Sequence, residues 1–181
     1  MIVSGKRVVT PSDEAAAQRF RYAAIPTEVA QRIRSTLRDD FRNELRVWIS
    51  DAEGNPCRHC LRMTRPGDRL ILFAYRPFAT SGPYAETGPI FIHADACARY
   101  DGRSGFPEDF TVRALTLRAY GNTERGDISI VDAEVSQPGC ASQGLTRLFA
   151  AERVQFVHAR NQAWGCYDFR IDRATAINIA T

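Results

Sequence analysis

Hydrophobic and polar positions alternate through much of this chain, most plainly in TVRALTLRAY (111–120) and DISIVDAEV (127–135). A period of two is the pattern of a strand with one face buried. VQFVHAR (154–160) and YDFRIDR (167–173) repeat it near the end. In the first half, RFRYAAI (19–25), ELRVWIS (44–50) and PIFIHA (89–94) read as strands. RLILFAY (69–75) is a nearly continuous apolar run, which fits a strand covered on both faces. Two stretches follow helical spacing instead. Pro26 opens PTEVAQRIRSTLRDDF, where Val29, Ile33 and Leu37 recur at i, i+4 and i+8. Proline suits a first helical turn, and Glu28 suits the positive end of the dipole. In SQGLTRLFAAE (142–152), Leu145, Leu148 and Phe149 fall at i, i+3 and i+4.

Gly, Pro and Asn mark the connections: DAEGNP (51–56), Pro66-Gly67, TSGPYAETGP (80–89) and DGRSGFPED (101–109). Strands joined by such short turns predict an α+β fold, a mostly antiparallel sheet of about six to eight strands with about two helices packed on it. Regular βαβ alternation is missing, so a Rossmann-type sheet is not expected. Residues 1–18 read as a loosely attached lead-in and 19–181 as a single globular domain. A chain of 181 residues buries roughly 70% of its unfolded surface, so the fold does not require a metal or a disulfide.

Composition narrows the function classes. No run approaches the ~18 apolar residues of a membrane span, and MIVSGKRVVT has neither an apolar h-region nor a small-residue cleavage site. A cytoplasmic protein with no membrane partner is expected, its five cysteines kept mostly as thiols. Net charge is +3, and Lys6 is the only lysine. The arginines are scattered among acids, without the basic block that tracks a nucleic-acid backbone. Nucleic acid is therefore not an expected partner. Arginine's planar fork matches carboxylate and phosphate, which leaves a small anionic ligand as the partner to consider.

The stretch NPCRHCLR (55–62) concentrates the candidate chemistry. A thioredoxin-type pair needs CxxC opening a long helix after a strand. Here a loop precedes it, and Pro66-Gly67 follows too soon for a helix. A c-type haem site needs His after the second Cys, where Leu61 stands. Cys57 and Cys60 have zinc-ligand spacing, and His93 with Cys97 in HADAC would complete four tetrahedral donors. Against that, free cysteines are commonly small buried hydrophobes. A nucleophilic Cys57 is the third option, with Arg58 and His59 lowering its pKa and VHARN supplying His158 and Asn161. On a strand, residues 158 and 161 point to opposite faces, so Asn161 cannot simply orient His158. His158 also shares its face with Val154 and Phe156, the setting of a core histidine.

Taken together, PCRHCL, GPIFIH, RALTLRAY and VHARNQAWGCYDFRIDRA resemble the bacterial domain-of-unknown-function family 1203, over roughly residues 20–173. The resemblance maps the family's pattern onto Pro56, Cys57, Arg58 and Leu61, then Ile90 and Phe91, then Leu117, Arg118 and Ala119. It continues with His158, Asn161, Gly165, Cys166, Asp172 and Arg173. It implies more about fold than about activity. Cys60, His93 and Cys97 fall outside that pattern, which favours no metal, with the four-residue set as a fallback. The pattern also raises a pairing of Cys57 with Cys166 across the sheet, as buried thiols or a strained disulfide.

On this reading Cys57-Arg58 is the functional half of CRHC, and His59-Cys60 is local decoration. Cys57 and His158 are the candidate catalytic pair. Arg58, Arg118 and Asn161 would line a pocket for a small anion, with the Tyr84–Glu86 loop as its rim. Tyr84 and Glu86 are the rim's candidate ligand-binding residues. A structural or interaction module without catalysis stands level with that reading, and a zinc-stabilised module follows.

Overall fold

A computed structural model describes residues 19–80, 82–102 and 104–174. The expected lead-in, residues 1–18, lies outside that range. Among the described residues, eight strands overlap the eight runs read as strands: β1 (Phe20–Ala23), β2 (Val47–Ile49), β3 (Arg69–Tyr75), β4 (Gly88–His93), β5 (Leu115–Asn122), β6 (Ile128–Ser136), β7 (Phe156–Asn161) and β8 (Tyr167–Arg173). Two α-helices join them, α1 (Thr27–Thr36) and α2 (Ala141–Leu148). All strand pairs are antiparallel, so the fold is α+β of the expected kind.

The strands divide between two sheets. The larger runs β1-β8-β7-β5-β6 and the smaller β2-β3-β4. One face of the larger sheet presents Leu117, Ala119, Val157, Ala159, Phe169 and Ile171 to the core shared with Leu145 and Leu148 of α2. The helix sits so close that a Cβ on Gly144 would lie 2.9 Å from Leu117 Cδ1. A second core lies under the smaller sheet. Ala30 and Ile33 of α1 pack there against Ile71, Phe73, Ile90 and Ile92, with Cys57 and Tyr167 closing the cluster. Tyr167 belongs to the larger sheet, so this cluster joins the two. Leu70 and Ile71 are adjacent on β3 and both buried, as a strand covered on both faces requires.

Helix α1 stops earlier than its apolar stripe predicts. Leu37 takes a left-handed conformation (φ 48°) and donates its N–H to Ile33 O at 3.0 Å. Asp39 then gathers the turn. Its carboxylate accepts from the Phe41 and Asn43 amides, the Asn43 side chain and the Ala74 amide. A side chain that offers the backbone this many local bonds competes with helix continuation. Among the described residues, no helix is long and apolar enough to cross a membrane.

Candidate metal centre

Residues 55–64 form a tight hairpin. Thr64 N–H donates to Asn55 O and Cys57 N–H to Arg62 O, while Leu61 N–H closes back on Cys57 O at 2.8 Å. Leu61 completes the turn in the left-handed region (φ 55°), a strained choice for a residue with a Cβ, and its side chain is buried in the main core. The hairpin lies beside β4, where Arg58 N–H donates to Phe91 O at 2.9 Å. The end of β4 and the loop after it thus come to face Cys57 and Cys60.

Four side chains meet there. The ligand atoms of Cys57, Cys60, His93 and Cys97 all lie within 4.8 Å of one another. Cys57 Sγ is 4.0 Å from Cys97 Sγ, and Cys60 Sγ is 3.5 Å from His93 Nδ1. A tetrahedral zinc ion would place sulfurs about 3.8 Å apart and sulfur and nitrogen about 3.6 Å apart. The cluster could therefore hold one metal ion with small side-chain adjustments.

The surroundings would suit a metal-ligand shell. His93 turns Nδ1 to the cluster and Nε2 to Asp68, 3.6 Å from Oδ2. A carboxylate beside the far nitrogen favours the proton there, so Nδ1 would coordinate once a metal displaced its own proton. The His93 amide donates to Cys57 Sγ at 3.3 Å. Outside the cluster, Cys97 Sγ meets Arg34 Nη2 at 3.3 Å and His59 Nδ1 at 3.2 Å. The other nitrogen of His59 is 3.1 Å from Thr27 Oγ1. Helix α1 therefore braces the site through Thr27 and Arg34.

These contacts displace proton equilibria. Hydrogen bonds from Cys60 and then Cys97 hold the Cys57 thiol far below its usual value. Hydrogen bonds to Cys57 and Cys97 push Cys60 up, and hydrogen bonding with Cys57, then Cys97, pushes His93 up to about 10. Three thiols and an imidazole this close cannot all keep ordinary protonation states, whereas a shared cation stabilises the thiolates together.

Several expectations are corrected here. His59 and Cys60 are not decoration: Cys60 supplies a donor atom, and His59 orients Cys97. The fallback metal set is the set that assembles. Cys57 and Cys166 are not paired. Both are free, Cys57 faces Cys97, and Cys166 sits in the β7–β8 turn with its Sγ 3.8 Å from Trp164 O.

The other candidate residues separate into two groups. Arg58 is a buried tie. Its Nη2 lies 3.0 Å from Asp168 Oδ1, with side chains 3% and 2% exposed. Nε donates to Tyr167 O at 2.8 Å and Nη1 to Pro56 O at 2.7 Å. His158 lies on the other side of Tyr167, in a ring cluster with Phe78, Tyr120 and Phe156, each centroid within about 5 Å. Burial, then the Arg160 charge, holds its pKa well below the usual value, so the ring is neutral. The structure does not bring Cys57 and His158 together. It does bring Arg118 to Glu86, which Arg160 also reaches. Asn161 caps the β7–β8 turn, its Oδ1 accepting from the Ala163 and Trp164 amides at 3.0 and 2.9 Å. Tyr84 is exposed.

Sequence reasoning missed Arg34, Asp68, Arg160 and Asp168. Each acts through a partner distant in the chain, and none carries a local spacing signal.

An α+β protein with two antiparallel sheets, joined beside a Cys3His cluster, is the class these features define. The chain belongs to the family described as "Protein of unknown function (DUF1203)", which matches residues 54–173. No curated protein and no solved structure matches it.

Proposed function

We propose that Cys57, Cys60, His93 and Cys97 hold one structural zinc ion and that the protein works as a zinc-stabilised binding module. The observation that carries this reading is the convergence of four donor atoms from two separate segments within 4.8 Å. Three sulfurs and one imidazole in tetrahedral reach suit zinc, and a full set of four protein ligands leaves no open position for substrate. On this reading Cys57 is a ligand rather than a nucleophile. Three thiolates, a neutral imidazole and Zn²⁺ carry one net negative charge, which the Arg34 guanidinium offsets. Such a centre persists where thiols stay reduced, in keeping with a cytoplasmic location.

Metal analysis of the full chain, reconstituted with zinc under reducing conditions and dialysed, tests the reading. One zinc per chain is expected, with a lower melting temperature after chelation. Cys60→Ser and Cys97→Ser should each fall well below one equivalent. Wild-type protein that retains much less than one equivalent would overturn the proposal, as would a Cys97→Ser chain that keeps its full complement.

A further inference from the structure

The face of the larger sheet turned away from α2 carries three arginines around the neutral His158. Arg118, His158 and Arg170 are register neighbours across β5, β7 and β8, and Arg160 follows His158 on the same face of β7. Arg170 is satisfied: Asp172 takes its Nε and Nη2 at 2.7–3.1 Å, and its guanidinium covers the Phe156 ring at 3.9 Å. Arg118 and Arg160 share one anion. Glu86 gives one carboxylate oxygen to Arg118 Nη1 and the other to Arg160 Nη2.

Three features distinguish this contact from an ordinary surface pair. First, two guanidiniums from neighbouring strands grip opposite oxygens of a single carboxylate, the geometry used to recognise carboxylate and phosphate ligands. Second, the clamp is not saturated. Arg160 is buried, its Nη1 donates to Gly165 O at 2.6 Å, and its Nε has no partner. Both ring nitrogens of the buried His158 beside it are also unpartnered. Native proteins satisfy nearly all such groups, and clustered exceptions call for a ligand or a water. Third, Glu86 is delivered by a loop whose own backbone bonds are internal, Ala85 N–H to Gly82 O and Glu86 N–H to Tyr84 O, both 3.0 Å, and whose packing on the sheet is the single small side chain of Ala85 against Phe78, Tyr120 and Phe156. That loop can leave the sheet without opening a ladder.

The geometry points to a binding site for a small oxyanion, a carboxylate or a phosphate, formed by Arg118 and Arg160, in which Glu86 is a tethered internal occupant that the ligand displaces. The two arginines and Glu86 together carry a net charge of +1, so an incoming dianion neutralises a site that Glu86 only half compensates. The site is separate from the metal cluster and does not rest on its occupancy.

Titration calorimetry of the full chain in low-chloride buffer, with malonate and with inorganic phosphate as probes, tests this. If Glu86 holds the clamp in about 90–99% of molecules, removing it should tighten binding about 10–100-fold. Glu86→Ala should then bind one of the two probes at least tenfold more tightly than wild type. A preference for malonate assigns the site to carboxylates and the converse to phosphates. Adding Arg118→Ala to Glu86→Ala should abolish the gain. The proposal is overturned if neither protein binds either probe, or if the affinities of wild type and Glu86→Ala match. It is also overturned if the gain survives Arg118→Ala, or if Glu86→Ala melts early and neither probe restores it, since Glu86 would then be a structural counter-charge.

Discussion

Arg58 supports a sharp test because its three acceptors are all known. The guanidinium is 3% exposed, donates to Tyr167 O and Pro56 O and forms an ion pair with the Asp168 carboxylate. Through them it ties the hairpin that carries Cys57 and Cys60 to β8 of the larger sheet. Arg58→Met keeps the apolar stem and removes every donor. Two buried carbonyls and a buried carboxyl then lose their partner, and removing one member of a buried ion pair costs about 3–5 kcal/mol. In a domain of this size that lowers the melting temperature by roughly 6–20 °C. Arg58→Lys should recover only part of the loss, because a point charge cannot serve three acceptors spread around a planar fork. Urea unfolding of zinc-saturated protein, with m-values compared to confirm a common transition, measures both. The pair also has a pH signature. Burial raises Asp168 to about 6, against the pull of Arg58. The folded state therefore holds this proton more tightly than the unfolded chain. Its contribution is fully present below about pH 4 and is lost as pH rises through about 6. Without the cation, Asp168 should titrate higher still. An Arg58→Met chain within about 1 kcal/mol of wild type, with the Asp168 titration unmoved, would refute the account and return Arg58 to the ligand-binding candidates.

Other substitutions read separate parts of the structure. Arg34→Met and His59→Ala should each weaken zinc retention by about 10–100-fold against a chromophoric chelator while the far-ultraviolet spectrum stays native, because both support a ligand without being one. Gly121→Ala should destabilise by about 1–3 kcal/mol in thermal unfolding, since a Cβ there would stand 2.2 Å from the Arg153 carbonyl oxygen. Leu145→Ala, at the fully buried contact of α2 with the sheet, should lose about 2–5 kcal/mol in urea. Cys166→Ser should leave stability and zinc content unchanged, as Cys166 is a free thiol that contributes no atom to the cluster.

Most strands were legible because a half-buried strand writes its period of two into the chain, and β3 because a strand covered on both faces writes a continuous apolar run; β5 starts only at Leu115, since the Thr111 and Arg113 amides close turns on Glu108 O and Phe110 O. Their division into two sheets was not, since it depends on which runs pair, and Tyr167↔Arg160 or Val47↔Ile71 leave no local trace. The same contrast governs the site. The spacing of Cys57 and Cys60 was visible at once, and so was the spacing of His93 and Cys97. Only the parallel bridge between Cys57 and Phe91 puts the two pairs in register. Arg58 looked like a ligand-binding residue because its buried partner, Asp168, comes from β8. Arg118 and Glu86 were both candidate binding residues, and their meeting rests on how the 82–87 loop folds over the sheet.

The tetrapeptide CRHC distributes its four residues over distinct tasks, and this explains why no single motif reading accounted for it. Cys57 and Cys60 point to the cluster. Arg58 turns the opposite way, into the seam between the sheets, and His59 reaches toward α1. A turn this tight can aim consecutive side chains in different directions because its backbone bonds are internal, from Cys57 to Arg62 and from Leu61 to Cys57. All four candidate metal ligands, together with Arg58 and Asp168, fall inside the matched span 54–173. Thr27 and Arg34, which brace Cys97 directly and through His59, fall outside it on α1. The cluster is thus assembled by the matched region and oriented by the helix that precedes it. Zinc binding would then stabilise α1 against the smaller sheet as well as the hairpin that carries the cysteines.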